Sequence, residues 1–302
     1  MRDRRSGAAL LEVAGLSRSF GDITAVDDVS FTVPGGLMTG FVGGNGAGKT
    51  TTMRMIMGLL ATHAGEVRWD GAPITAAVRR QIGYMPEERG LYPKQKVLDQ
   101  LVYLGELSGM TAAGAKTAIM SHLERFGLAD RARERVEKLS LGNQQRVQII
   151  AALMTQPDAL ILDEPFSGLD PQAVDSMVDL LREHAAAGVP VLFSSHQLDL
   201  VERLCDRLVV LSQGRVVATG GVEELRSGGP ERYRITLDGD AGWLRDQPGT
   251  HVHDVDGTTA LVEFTEPTAR HRLLGAAIER GDVIDFARHI PSLSEIYREV
   301  TA

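Results

Sequence analysis

One cysteine, Cys205, is the whole thiol content of this 302-residue chain, so no internal disulfide can form, and nothing resembles paired metal-ligand spacing. A reducing, cytosolic compartment is the expectation. Positive charge is also short, with 32 Lys and Arg against 40 Asp and Glu, a net charge of −8. That balance argues against a dedicated nucleic-acid binder held by phosphate neutralisation, and no nucleic acid is expected as a partner. Long apolar runs are missing as well. A membrane span needs about 20 mostly apolar residues. The one charge-free stretch of that length, between Asp28 and Lys49, carries Pro34 and seven glycines and therefore reads as loop. Arg2, Arg4 and Arg5 precede Ala8–Leu11, but Glu12 cuts that apolar segment short of a signal-peptide core. What is present is 43% hydrophobic residues, enough to bury the core of one large or two smaller domains.

Alternation at Leu11–Val13 and Phe31–Val33, with a turn signal at Pro34-Gly35-Gly36 before Leu37–Val42, predicts a strand-rich start. From Thr50 the apolar spacing of Met53, Ile56, Met57 and Leu60 predicts a helix ending near Gly65, followed by a hairpin strand Glu66–Trp69 closed by Asp70-Gly71. Residues from about 97 to 155 carry helical faces, Val97/Leu98/Leu101 in one segment and Ile119/Leu123/Phe126 in another. Strand, helix and strand signals then alternate at Ala159–Asp163, Pro171 to about Ala187, and Val189–Ser194, which predicts a wound α/β sheet. The texture changes at Gly228-Gly229-Pro230. Beyond it, strands at 233–237, 251–255, 259–264 and 282–288 and helices at 241–246 and 267–280 give βαββαβ, the split arrangement of ferredoxin-like domains, with a last helix at 293–300.

Gly43-Gly44-Asn45-Gly46-Ala47-Gly48-Lys49-Thr50 fits G-x-x-x-x-G-K-[ST] and stands between an apolar strand and a helix, the context that motif requires. Glycines let the backbone curl so that successive N–H groups and the helix N-terminus point at phosphate oxygens. Candidate phosphate contacts are Asn45, Gly46, Ala47, Gly48, Lys49, Thr50 and Thr51; Lys49 would reach the β- and γ-phosphates and Thr50 would hold Mg²⁺. Leu160-Ile161-Leu162-Asp163-Glu164 is an apolar strand ending in two carboxylates. Asp163 suits a metal held through water and Glu164 suits an attacking water.

Upstream, Leu139-Ser140-Leu141-Gly142-Asn143-Gln144-Gln145-Arg146 opens an amphipathic helix; downstream stand Ser167-Gly168-Leu169-Asp170-Pro171 and Ser194-Ser195-His196. In this order behind the phosphate loop, these residues resemble the signature, D-loop and switch histidine of ABC ATPases. The resemblance covers about residues 10–225. Gly83-Tyr84-Met85-Pro86-Glu87-Glu88-Arg89-Gly90-Leu91-Tyr92-Pro93, the Asn143 variant of the signature and the small C-terminal domain are similar to ATP-binding subunits of bacterial ABC-2-type exporters, including the sodium-efflux type. The resemblance implies an α/β phosphate-loop ATPase domain at 8–228, with a helical subdomain at about 94–155, and a small α+β ferredoxin-like domain at 231–302.

It also implies two copies sandwiching two ATP with Mg²⁺ and driving a separate integral-membrane permease from the cytoplasmic face of the cell membrane. Carried over by position, Phe20 would stack on adenine with Val26 packing nearby. Ser140 and Gly142 of the partner would meet the γ-phosphate, with Asn143 at the ribose-facing position. His196 would contact the γ-phosphate, and Glu164 would be the catalytic carboxylate. Glu87 replaces the family's Q-loop glutamine and remains a metal or water ligand. Leu141 replaces the first signature glycine, and Gly44 the usual loop proline. The alternative is an ABC-type ATPase acting on ribosomes or DNA; one phosphate loop, and only about ninety residues between it and the signature, weigh against it. Arg131–Arg135, interleaved with Glu134, reads as a solvated helix face, and Cys205 as core. His251 and His253 share a strand face that Asp254 does not, which leaves too few ligands for a metal.

Overall fold

A computed structural model describes residues 9–88, 90–281 and 283–301 of the chain. Arg2, Arg4, Arg5, Ala8, Arg89, Asp282 and Ala302, which enter the sequence reading, lie outside the described residues. The chain divides into two compact units, one running to Val222 and taking in the residues from Val300, and the other Glu223–Glu299.

In the first unit, Leu10–Phe20 and Ile23–Pro34 form an antiparallel hairpin, and Ala64–Trp69 and Ala72–Pro73 extend it to four strands. Alternation turns Leu11 and Val13 of one strand and Val29, Phe31 and Val33 of the next inward, and a bulge after Val13 brings Leu16 to the same core. Each such burial contributes about 1.5–3 kcal/mol. Phe31 meets Phe41 at 5.1 Å between ring centroids, which ties this sheet to a second one.

The second sheet runs Arg215–Gly221, Arg207–Ser212, Met38–Gly43, Val191–Ser195, Ala159–Leu162 and Ile82–Met85 in spatial order. All neighbours are parallel except the first pair. Its four central strands are buried on both faces, which is why they read as continuous apolar runs. Because they are parallel, Gly43, Met85, Leu162 and Ser195 all emerge at one edge. The helix Lys49–Ile56 packs Met53, Met55 and Ile56 into the shared core. It stops short of the predicted end near Gly65. Gly58 takes φ +71 just beyond it, and Ala64 already belongs to the next strand.

The helical layer comprises Val97–Leu107, Ala112–Arg125 and Leu141–Leu153. Between the last two, Ala129–Arg131 and Val136–Lys138 are single 3₁₀ turns, so the arginine run is not a helix face. Arg131 pairs with Glu134 at 3.6 Å and Arg135 with Glu137 at 3.8 Å. Among the described residues, no helix is long and apolar enough to cross a membrane.

In the second unit an antiparallel sheet has the order Thr250–Asp256, Thr259–Phe264, Arg232–Leu237, Val283–His289, the split topology expected of βαββαβ. Ala269–Arg280 supplies the second crossover helix, and a further helix, Leu293–Thr301, begins in this unit. The first crossover is a five-residue 3₁₀ turn, Gly242–Asp246, rather than the predicted α-helix. Ile235, Leu244, Val262, Leu273 and Ala277 form the core. The rings of His251 and His253 meet edge-on at 4.6 Å, and His253 Nε2 lies 2.8 Å from Glu263 Oε2.

Candidate active site

Four segments of the first unit meet at the carboxyl edge of the parallel sheet. The strand Met38–Gly43 feeds the phosphate loop, whose turn at Gly48 needs φ +103 and leaves no room for a side chain: a Cβ there would lie 2.5 Å from Ala25 O. Gly48 is the N-cap of the helix Lys49–Ile56, so the free amide groups of its first turn open on the loop. Asn45 and Gly46 are exposed and Ala47 is buried, while Thr51 is half-buried. Lys49 is buried, and its Nζ donates to Gly43 O at 2.7 Å and to Gly44 O at 3.2 Å. The ammonium is thus stored on carbonyls of the loop, in hydrogen bonds that a phosphate can take over.

Thr50 Oγ1 donates to Glu87 Oε2 at 3.3 Å. Glu87 follows the strand Ile82–Met85, which pairs in register with Ala159–Leu162, so Glu87 and Asp163 leave adjacent strands in the same direction. Asp163 is 1% exposed. Its Oδ1 accepts from Ser194 Oγ at 2.6 Å, whereas its Oδ2 is buried with no hydrogen-bond partner. A buried carboxylate oxygen without a donor is costly unless a cation approaches it. Nearby, burial first and the Asp163 charge second push the Tyr84 hydroxyl pKa above its ordinary value.

Glu164 sits at φ +50 directly after the strand, a backbone region rarely adopted by residues with a Cβ. Three contacts hold it there. Its amide N–H donates to Ser194 Oγ at 2.8 Å, its carbonyl accepts from Gln145 Nε2 at 3.0 Å, and its Oε2 lies 3.0 Å from His196 Nδ1. His196 is more than half exposed, so the Glu164–His196 pair stands at the mouth of the site.

Asp163 and Glu164, joined by hydrogen bonds through Ser194, His196 in contact with Glu164, and a Thr50–Glu87 pair therefore cluster at this edge beside Lys49. The oxygen-rich donor set of Thr50, Glu87 and Asp163 fits a hard divalent cation such as Mg²⁺.

Phe20 ends its strand 49% exposed, with the Arg18 guanidinium over the ring at 5.0 Å. Val26 has no exposed surface and lies beneath the loop, where a Cβ on Gly48 would meet its methyl at 3.3 Å. Ser140 caps the helix Leu141–Leu153 and accepts from Asn143 N at 3.4 Å. Gly142 packs so tightly on the next loop that a Cβ would lie 3.0 Å from Gly168 O. Leu141 projects outward, 59% exposed. Among the described residues, no hydrogen bond joins Phe20, Ser140, Gly142 or Asn143 to the Asp163–Glu164 set.

Sequence reasoning passed over two gripping residues. Gln145 and Gln148, one helical turn apart, reach opposite loops: Gln145 Nε2 also donates to Pro165 O at 3.1 Å, and Gln148 Nε2 to Pro86 O at 2.6 Å. They fasten the signature helix to the segments that carry Glu164 and Glu87.

Comparison with known proteins agrees with this geometry. Residues 26–167 match the ABC transporter family, and residues 220–301 match the C-terminal domain of DrrA1-3-like ATP-binding proteins. The chain is 40% identical over 291 residues to the uncharacterized ABC transporter ATP-binding protein YhaQ of Bacillus subtilis (strain 168), covering 96% of this chain and 98% of the relative. It is 39% identical over 220 residues to the Nod factor export ATP-binding protein I of Paraburkholderia xenovorans (strain LB400), covering 72% of each. A solved structure titled as the ATP binding subunit of an ABC transporter matches with TM-score 0.67 and 34% identity over 72% of this chain and 92% of that one. These likenesses favour transport over the ribosome- or DNA-acting alternative. The chain belongs to the ATP-binding subunits of ABC transporters, and its activity is ATP hydrolysis.

Proposed function

We propose that two copies of this chain close around two MgATP, each nucleotide held between the phosphate loop of one copy and the Ser140–Asn143 segment of the other. Closure drives a separate integral-membrane permease in the export direction, and the chain works at the cytoplasmic face of the cell membrane, bound through that permease. The observation that carries the reading is Asp163, buried and hydrogen-bonded on one oxygen and bare on the other, beside a Glu164 tied to His196.

Each residue then has a task. Lys49 moves from the Gly43 and Gly44 carbonyls to the β- and γ-phosphates. Asn45 to Thr51 supply amide N–H groups and the helix N-terminus to the same oxygens. Thr50, Glu87 and Asp163 hold Mg²⁺ directly or through water; when bound, that ion neutralises charge on the phosphates. Glu164 orients the attacking water, and His196, in contact with Glu164, reports the γ-phosphate. Ser140 Oγ accepts an amide N–H as helix cap, which leaves its own proton for the γ-phosphate of the partner copy; Gly142 adds an amide and Asn143 faces the ribose. Phe20 stacks on adenine. The export direction is supported by the likeness to the Nod factor export ATP-binding protein I. A functional boundary between residues 228 and 231 fits the glycine-proline break.

Glu164→Gln tests the assignment. The variant keeps MgATP binding while turnover falls about 10²- to 10⁴-fold, as for loss of a residue that handles the proton of the attacking group. Unimpaired steady-state hydrolysis overturns it.

A further inference from the structure

Ser194 is fully buried at the end of the strand Val191–Ser195. It pairs in register with Phe41, on the strand that feeds the phosphate loop, while its neighbour Phe193 pairs with Leu162, on the strand that delivers Asp163. It therefore lies between the two halves of the site. Its hydroxyl is used twice, donating to Asp163 Oδ1 at 2.6 Å and accepting from Glu164 N at 2.8 Å. The roles are forced, because an ionised carboxylate only accepts and an amide N–H only donates, whereas a hydroxyl carries one proton and two lone pairs.

Two consequences follow for the carboxylates. Tying Oδ1 selects Oδ2 as the oxygen left bare. Anchoring the Glu164 amide holds a backbone at φ +50, on which the direction of the Glu164 side chain toward His196 depends. A residue needed only to fill space here would be served by alanine or valine, in keeping with the apolar Val191, Leu192 and Phe193 before it.

We infer that Ser194 is a positioning residue for hydrolysis: one hydroxyl both fixes the Asp163 oxygen that faces the divalent cation and holds Glu164 in the conformation that meets the attacking water. The inference rests on the proposed reading of Asp163 and Glu164. Its nearest analogue is the outer layer of groups that orient metal ligands, where removal costs about 10- to 100-fold in metal affinity or activity.

The test uses the full-length chain as Ser194→Ala, Ser194→Thr, Ser194→Val and Asp163→Asn. Mn²⁺ is titrated into protein saturated with a non-hydrolysable ATP analogue and free Mn²⁺ is counted by electron paramagnetic resonance; kcat, KM and ATP binding in EDTA are measured alongside. Ser194→Ala should weaken Mn²⁺ binding and lower kcat, each by about 10- to 100-fold, with KM and metal-free ATP binding unchanged. Ser194→Thr, which keeps the hydroxyl, should return both toward the unmodified chain. If the alanine variant does not fold, threonine against valine makes the same comparison, since those two share a shape and differ in the hydroxyl. Mn²⁺ affinity and kcat retained in Ser194→Ala, or lost equally with threonine and valine, overturn the inference. Mn²⁺ affinity retained in Asp163→Asn overturns instead the underlying reading of the carboxylates.

Discussion

The two units of this chain handle buried polarity in opposite ways. Among the described residues, those classed as both buried and polar or charged, including Lys49, Gln145, Gln148, Asp163, Ser194 and Ser195, all fall in the first unit. Most are spent on one edge of one sheet, where they grip loops or each other. The second unit carries charge in exposed local pairs such as Arg288–Glu231 at 3.2 Å. Its interior is aliphatic and aromatic, with Tyr233 stacked on Phe286 at 5.2 Å. Burying polar groups is expensive, and a protein tolerates the cost where geometry must be held for chemistry. The contrast therefore marks the first unit as the chemical one and gives the second a fold held by packing.

Substitutions can break that contrast or sharpen it. Ile235 has no exposed surface in the second core. Ile235→Ala should destabilise that unit by about 2–5 kcal/mol, seen as an earlier thermal transition, while ATP turnover per molecule stays as it was. Coupled loss of turnover would mean that the units do not divide the work as described. Lys49→Ala should weaken ATP binding about 10- to 100-fold through loss of a charged hydrogen-bond donor, with the melting of the second unit unaltered. Isothermal titration and differential scanning calorimetry read both sides of that prediction.

The smallest effect concerns pH. His122, on the helix Ala112–Arg125, has its pKa held below the ordinary 6.5 by burial first, then by His184 and Arg125. With the folded value depressed, the unfolded chain takes up its proton first as pH falls. The stability that His122 contributes is thus full above about 6.5 and is lost as pH drops through the folded value. His122→Gln should flatten the dependence of the first unit's melting temperature on pH between about 7 and 5. An unchanged slope would assign that dependence to other groups.

How far the sequence discloses this site depends on the range of each interaction. The phosphate loop is legible because its chemistry lies in consecutive residues, and Ser140 is legible because capping is local. Asp163 and Glu164 declare themselves as acids at the end of an apolar strand. Ser194, Gln145 and Gln148 do not, since their partners lie 19 to 62 residues away and meet them only once the sheet is assembled. The same limit explains the local misreadings. Apolar spacing extended the phosphate-loop helix past Gly58, whose positive φ ends it. Charge interleaving at Arg131–Arg135 suggested a helix where local salt bridges decorate two turns. In the second unit the strand order followed from the alternation of signals, but the first crossover, broken by Gly239, Gly242 and Gly249, holds only a 3₁₀ turn.

The central claim is that nucleotide is clasped between two copies, with Glu164 needed to release it. Sedimentation velocity of the full-length Glu164→Gln variant tests this most directly. With saturating MgATP the variant should sediment as a dimer, and with EDTA or ADP as a monomer. A chain that binds MgATP fully yet remains monomeric, with or without its membrane partner, contradicts the account.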